Sequence, residues 1–206
     1  FTANAQTDRY VISGKIIEIS SVPQSSMVTI AAEKTEFKIL SFPADEFPTI
    51  KKIESNNSII IKDDMLKDLI RKTVFACSTD ESRPLFTGAL MEVADSTITM
   101  VATNTHRLAL KKNLLSEPSS SLKMIIPGKL LVEIAKIITF DVPTDVRILW
   151  LKNQVAFLFE NIYVISRVIE GQFPDYKKVI PTEFSSHCVI DANQLHEAVE
   201  RVSLLA

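Results

Sequence analysis

Apolar positions change their period several times from residue 58 onward. SIIIK (58–62) is almost continuously apolar and predicts a buried strand. Asp63 and Asp64 follow, where carboxylates meet the positive end of a helix dipole. Leu66, Leu69, Ile70, Thr73 and Cys77 then recur at helical spacing and predict a helix that buries this face. Lys67 and Arg71, four apart, share the opposite face beside Lys72. In GALMEVADSTITMVATNTHRLALKK (88–112) the pattern predicts three antiparallel strands, turning at Ala94-Asp95-Ser96 and at Asn104-Thr105. EPSSSLK (117–123) reads as a loop, and Pro127 as the first residue of a second helix. Leu131, Ile134, Ala135 and Ile138 make its core stripe, with Lys129, Glu133 and Lys136 on the other side. Hairpins follow, turning at Lys152-Asn153 and Glu160-Asn161. This order, β-α-β-β-β traversed twice, predicts an α+β unit with two helices packed on antiparallel sheets.

The same patterns recur at long range. IIIKDDMLKDLIRKTVFA (59–76) matches CVIDANQLHEAVERVSLL (188–205) at an offset of 129. Leu66 falls on Leu195 and Ile70 on Val199. FKILSFPADEFP (37–48) matches YVISRVIEGQFP (163–174), and ISGKIIEI (12–19) matches IPGKLLVEI (126–134). The chain therefore reads as the end of one unit (1–57), a complete second unit (58–184) and the start of a third (185–206). Connectors fall at KKIESNNS (51–58) and VIPTEFSS (179–186). The spacing from Gly14 to Pro48 is 34 positions, against 46 from Gly128 to Pro174. That shortfall predicts loop residues lost from the first unit near 20–22 and near 30–32, with a further gap within 1–8.

Composition narrows the function. The 206 residues are 46% hydrophobic and 23% charged, an ordinary globular balance, with a net charge of −2. A nucleic-acid partner therefore requires basic residues concentrated on one surface. Cys77 and Cys188 have no metal-ligand spacing and read as reduced cytosolic thiols. The three histidines are too scattered for a ligand set, and no apolar run is long enough to span a membrane. The chain starts at Phe1 with no signal peptide after it. In VATNTHRLALKK (101–112), His106 invites reading as a general base. It has no companion: no Gly-x-Ser-x-Gly, metal cluster or glycine-rich phosphate loop occurs, and there are four glycines in all. An enzyme is disfavoured, and no cofactor or metal is expected.

RPLFTGALMEV, VATNTHRLAL, IIPGK and ISRVIEGQFPDYKKVIP together resemble the bacterial sliding clamps, the β subunits of DNA polymerase III. The likeness runs from about Val11 through Ala206, with these motifs in the family's order and spacing. It implies three similar domains per full chain and a head-to-tail homodimer closed as a ring around double-stranded DNA. It implies no catalysis. The partners it implies are the polymerase α subunit, a clamp loader and other replication and repair proteins, in the cytoplasm. A clamp-fold scaffold that binds peptides without encircling DNA is the alternative reading.

Carried over by position, the resemblance implies a peptide-binding pocket from Phe86, Thr103, Thr105, His106, Arg107 and Leu108, with Pro174, Lys178 and Val179 from the connector. Apolar members would form its floor, and Thr103, His106 and Arg107 its rim. Thr105 stands where many members have glycine, Phe86 where leucine is usual, and Lys178 where arginine is frequent. The DNA-facing candidates are Lys15, Lys67, Arg71, Arg83, Lys129 and Lys136, with Lys15 as the first unit's counterpart of Lys129. Taken without the resemblance, these are ordinary solvated helix faces. Asp80 and Glu81 occupy positions where polar or basic contacts occur in some members. In the third unit, His196 and Glu200 stand in place of Lys67 and Arg71.

Overall fold

The computed structural model describes residues 6–12, 15–21, 26–42, 46–49, 52–116, 119–139 and 142–204, with side chains from residue 16 on. It divides into two compact units, Phe1–Lys52 and Ile53–Ala206.

The first unit is a four-stranded antiparallel meander: β1 (Gln6–Ile12), β2 (Lys15–Ser21), β3 (Met27–Ala32) and β4 (Thr35–Leu40). Two expectations change here. β3 and β4 pair from Met27↔Leu40 to Ala32↔Thr35, so β3 runs unbroken through 30–32 and Glu33 and Lys34 make the turn. Glu33 takes φ 51°, the left-handed conformation such a turn demands. The segment matched to the second unit's GKLLVEI is strand, not helix. Ile16 and Ile17 are β-branched and suit a strand, whereas Leu130 and Leu131 stand at the matched positions of the later copy and suit a helix. The positions 22 and 1–5, where further gaps were expected, lie outside the described residues, and so does the Lys15 side chain.

The second unit runs β5 (Ser58–Lys62), α1 (Asp63–Arg71), β6 (Gly88–Ala94), β7 (Thr97–Thr103) and β8 (Leu108–Leu114). The order then repeats as β9 (Leu122–Pro127), α2 (Gly128–Ile137), β10 (Asp145–Trp150), β11 (Gln154–Phe159) and β12 (Ile162–Arg167). One sheet is ordered β8-β7-β6-β9 and the other β12-β11-β10-β5, so each half lends its first strand to the other's sheet. A last helix, α3 (Ala192–Ser203), ends the described chain.

Two sequence readings are corrected in this unit. Residues 122–123 begin β9 instead of ending a loop, because Leu122 is buried and pairs with Val93. Pro127 ends that edge strand with ψ 128° and precedes the helix, a place where its missing N–H costs no ladder bond. Helix α1 stops at Arg71, short of Thr73 and Cys77. The buried Thr73 hydroxyl donates to the Leu69 carbonyl 2.7 Å away, and a separate 3₁₀ turn, Val74–Ala76, follows.

Strand alternation divides the burial. Ala89, Met91 and Val93 of β6, Met100 and Ala102 of β7, and Met124 and Ile126 of β9 face the main core. There they meet Leu66, Leu69 and Ile70 of α1 and Leu131 and Ile134 of α2. Leu90, Val101 and Ile125 point the other way, into a smaller cluster with Phe173 and Tyr176. Leu66, Leu69, Leu131 and Ile134 are fully enclosed, each stabilising by about 1.5–3 kcal/mol. Asp63 ties the helix start to a distant loop. Its Oδ1 accepts from Thr144 N at 3.0 Å and its Oδ2 from Thr144 Oγ1 at 3.1 Å.

Candidate functional site

Helices α1 and α2 lie side by side with their apolar stripes in the core, so their outer faces form one surface. Lys67, Arg71 and Lys136 line a shallow groove of about 450 Å³ floored by Val74, Phe75 and Val132. Lys67 also donates from Nζ to the Ile138 carbonyl at 2.6 Å, where a cation meets the negative end of α2. Lys136 pairs with Glu133 at 2.8 Å.

Lys129 lies in an adjoining cleft of about 910 Å³ whose wall shares Phe75 and Val132. There it pairs with Glu81 at 2.9 Å, and this hydrogen bond and charge hold the Glu81 carboxyl below its usual range. Arg83 is not in the groove. It reaches Asp80 at 3.3 Å and stands 5.9 Å over the Phe86 ring. Hydrogen bonds from Ser82 and then Arg83 depress the Asp80 carboxyl. Asp80 and Glu81 thus each hold one of the candidate cations.

Thr103, Thr105, His106, Arg107 and Leu108 share the β7–β8 turn. Asn104 organises it: its Oδ1 accepts from the backbone of His106 at 3.1 Å and Arg107 at 3.0 Å. Thr103 Oγ1 donates to Arg107 O at 2.8 Å and accepts from Thr105 N at 3.1 Å. Thr105 adopts φ 79°, the left-handed region that glycine occupies without strain. His106 is exposed. Arg107 turns away toward α1, with Nη2 donating to Phe75 O at 2.5 Å and Cζ standing 5.9 Å over the Phe75 ring. It lines the same cleft as Lys129. Beneath it, burial pushes the Cys77 thiol up to about 11, against the opposing Arg107 charge.

Leu108 joins the smaller apolar cluster containing Phe173 and Tyr176. Those rings hold the connector that carries Pro174, Lys178 and Val179, all exposed. The turn and the connector therefore meet through Leu108. Phe86 is half-buried under Arg83, while its neighbour Leu85 enters the cluster. Sequence reasoning missed Phe75, Asn104, Glu92 and Tyr176. Asn104 was accessible from the preference of asparagine for capping its own turn. Tyr176 stands two places beyond the Phe-Pro already noted, whereas nothing local marks Phe75 or Glu92. No group of three metal-ligating side chains occurs among the described residues.

A tandem β-α-β-β-β unit with paired helices and a turn-plus-connector surface defines a clamp-type domain. Residues 60–175 match the family described as DNA polymerase III beta subunit, central domain. The chain is 38% identical over 186 residues to the beta sliding clamp of Bacillus subtilis, covering 90% of this chain and 49% of that one. It is 33% identical over 195 residues to the beta sliding clamp of Staphylococcus aureus, covering 95% and 51%. The crystal structure of the Bacillus subtilis DNA polymerase sliding clamp superposes with a TM-score of 0.86 at 38% identity, over 93% of this chain and 50% of that one. The chain belongs to the DNA polymerase III beta subunit family. It spans about half the length of the curated relatives it matches.

Proposed function

We propose that the protein is a sliding clamp of the bacterial replicative polymerase, without catalytic activity of its own. In this reading 1–57 ends a first clamp domain, 58–184 is a complete second domain and 185–206 begins a third. Three domains per full chain close head to tail as a homodimeric ring around duplex DNA, in the cytoplasm. A clamp loader opens the ring, and the DNA polymerase III α subunit and other replication and repair proteins dock by short peptides. Phe86, Thr103, Thr105, His106, Arg107, Leu108, Pro174, Lys178 and Val179 would form the docking site.

The convergence of Lys67, Arg71 and Lys136 on one groove, in a chain of net charge −2, carries this reading. Tethering by topology needs no tight grip, since each neutralised phosphate adds affinity that salt removes. A cationic lining under an acidic exterior favours DNA inside and repels it outside. Lys15, Arg83 and Lys129 are the further DNA-facing candidates, with Arg83 and Lys129 tempered by their Asp80 and Glu81 pairs.

The test is retention of the loaded full-length ring on nicked circular DNA. Replacing Lys67, Arg71 and Lys136 with alanine shortens retention most at low salt, and the difference from the parent narrows as salt rises. Equal retention at low and moderate salt refutes the cationic lining. In the same protein, His106→Ala weakens binding of a polymerase-derived clamp-binding peptide, and unchanged affinity by calorimetry refutes the docking site.

A further inference from the structure

The connector 168–179 is bound to the outer face of the β8-β7-β6-β9 sheet by a series of anchors. Ile169 N donates to Ile125 O at 2.8 Å, making a single bridge on the free edge of β9. Gly88 permits this approach, since a Cβ there would lie 2.7 Å from Ile169 Cδ1. Phe173 is 4% exposed and fills the cluster with Leu90, Val101 and Ile125. Tyr176, 6% exposed, is the last buried residue among those described, and residues 177–197 are all exposed.

Tyr176 has a second function besides filling space. Its hydroxyl donates to Glu92 Oε2 at 3.0 Å. Glu92 lies on the sheet face that carries Leu90, opposite Lys123 of β9, whose Nζ is 3.9 Å from Oε1. Burial first, then the hydrogen bond to Glu92, push the Tyr176 phenol up to about 12, so it stays a donor at neutral pH. The 3₁₀ turn Tyr176–Lys178 starts at this ring. Lys178 N donates to Asp175 O at 3.3 Å and Val179 N to Tyr176 O at 3.2 Å. Lys178 Nζ also lies 3.4 Å from Asp175 Oδ2, so the turn has a local ion pair as well as the buried ring, and the ring's hydroxyl adds a directional bond to the packing of the apolar cluster.

We propose that Glu92 is a positioning residue: by accepting the Tyr176 hydroxyl it sets the turn that presents Lys178 and Val179 to a docked peptide. This rests on the docking site proposed above. Glu92 is 23% exposed at the rim of this cluster, with Lys123 near one oxygen and the Tyr176 hydroxyl on the other, and a hydrogen bond to a charged acceptor is stronger than one between neutral groups.

The experiment uses the full-length protein and a fluorescent form of the same polymerase-derived peptide. Tyr176→Phe keeps the ring and removes the bond, and weakens the peptide about fivefold. Amide exchange at Lys178 and Val179 accelerates, with an unchanged thermal midpoint serving as the fold control. Glu92→Leu reproduces both effects, and Glu92→Gln, which keeps an acceptor oxygen, restores both to within about twofold. Unchanged exchange and affinity in Tyr176→Phe overturn the inference, as does Glu92→Gln behaving like Glu92→Leu. His106→Ala runs in parallel. If it leaves peptide binding intact, the docking reading fails. If it weakens binding while Tyr176→Phe does not, the positioning role alone fails.

Discussion

Helices α1 and α3 follow nearly the same code and end in opposite circumstances. At the offset of 129, Leu66 and Ile70 align with Leu195 and Val199. The first two are 0% and 2% exposed, the second two 47% and 59%. Both helices carry the same acid-to-base pair four residues apart, Asp68–Lys72 at 2.8 Å and Glu197–Arg201 at 3.7 Å. Both begin beside an aspartate. A local pattern and a cap are enough to make the helix, while its burial depends on strands far away in sequence. Leu66 meets β6, β7 and α2 in the main core, and no described residue of α3 is buried. The polar faces differ too: Lys67 and Arg71 become His196 and Glu200, so α3 does not repeat the cationic groove.

The largest expected difference is in packing. Leu66→Ala removes a fully enclosed side chain and costs about 2–5 kcal/mol. Leu195→Ala costs less than about 0.5 kcal/mol in this chain, because little burial is lost. Denaturant melts of the two variants check this, and equal losses would mean that the Leu195 face is covered in solution.

Next comes the way each helix begins. Asp191 is a local cap, with Oδ1 accepting from Asn193 N and Gln194 N at 3.0 Å. Asp63 is 1% exposed and accepts from its own helix and twice from Thr144. Asp63→Ala therefore leaves buried donors unpaired and costs about 1.5–3 kcal/mol. Asp191→Ala costs about 1 kcal/mol of helix stability and leaves the core unchanged. Hydrogen exchange separates the two: the first variant speeds exchange throughout α1 and the 142–146 region, the second only in α3. Exchange confined to α1 in Asp63→Ala would show that the Thr144 bonds carry no weight.

The same contrast explains how much was legible in the sequence. Periodicity placed α1, α2 and most strands of residues 58–167, because amphipathic spacing is local and the core enforces it, but β9 was hidden between a polar loop and a helix start. The turns at Ala94-Asp95-Ser96 and Glu160-Asn161 were read from turn chemistry; Asp95 and Glu160 take positive φ, while Ala94 pairs with Thr97 as the end of β6. The two GK segments misled. Gly14-Lys15 and Gly128-Lys129 head similar strings, yet one leads into a strand and the other into a helix. Ile16 and Ile17 against Leu130 and Leu131 carried the difference, and the motif carried none. At the candidate site, the residue types of the turn and connector were readable by resemblance. Where Arg107 points was not, because Phe75 attracts it from 32 residues away, and Arg83 is drawn aside by its local partners Asp80 and Phe86.

The smallest expected effect concerns what tertiary structure adds to the shared ion pair. Asp68 has a partner that Glu197 lacks among the described residues: Lys111 of β8, 3.3 Å from its second oxygen. The hydrogen bond from Lys72 lowers the Asp68 pKa most, slight burial opposes it, and Lys111 lowers it further. A carboxyl depressed in the folded state adds stability that is present above its unfolded pKa of about 3.9 and lost as pH falls through the folded value. Asp68 is partly open to solvent, so screening holds its contribution to a few tenths of a kcal/mol at about pH 7. Asp68→Asn should therefore lower the urea midpoint slightly at neutral pH. That difference should disappear as pH falls through the folded value, below which both proteins carry a neutral side chain. Lys111→Met should remove part of the same pH-dependent difference, whereas Arg201→Met in α3 should remove none of it. A difference that persisted undiminished at low pH would assign the loss to packing instead of charge, and would reduce α1 and α3 to the same local pair.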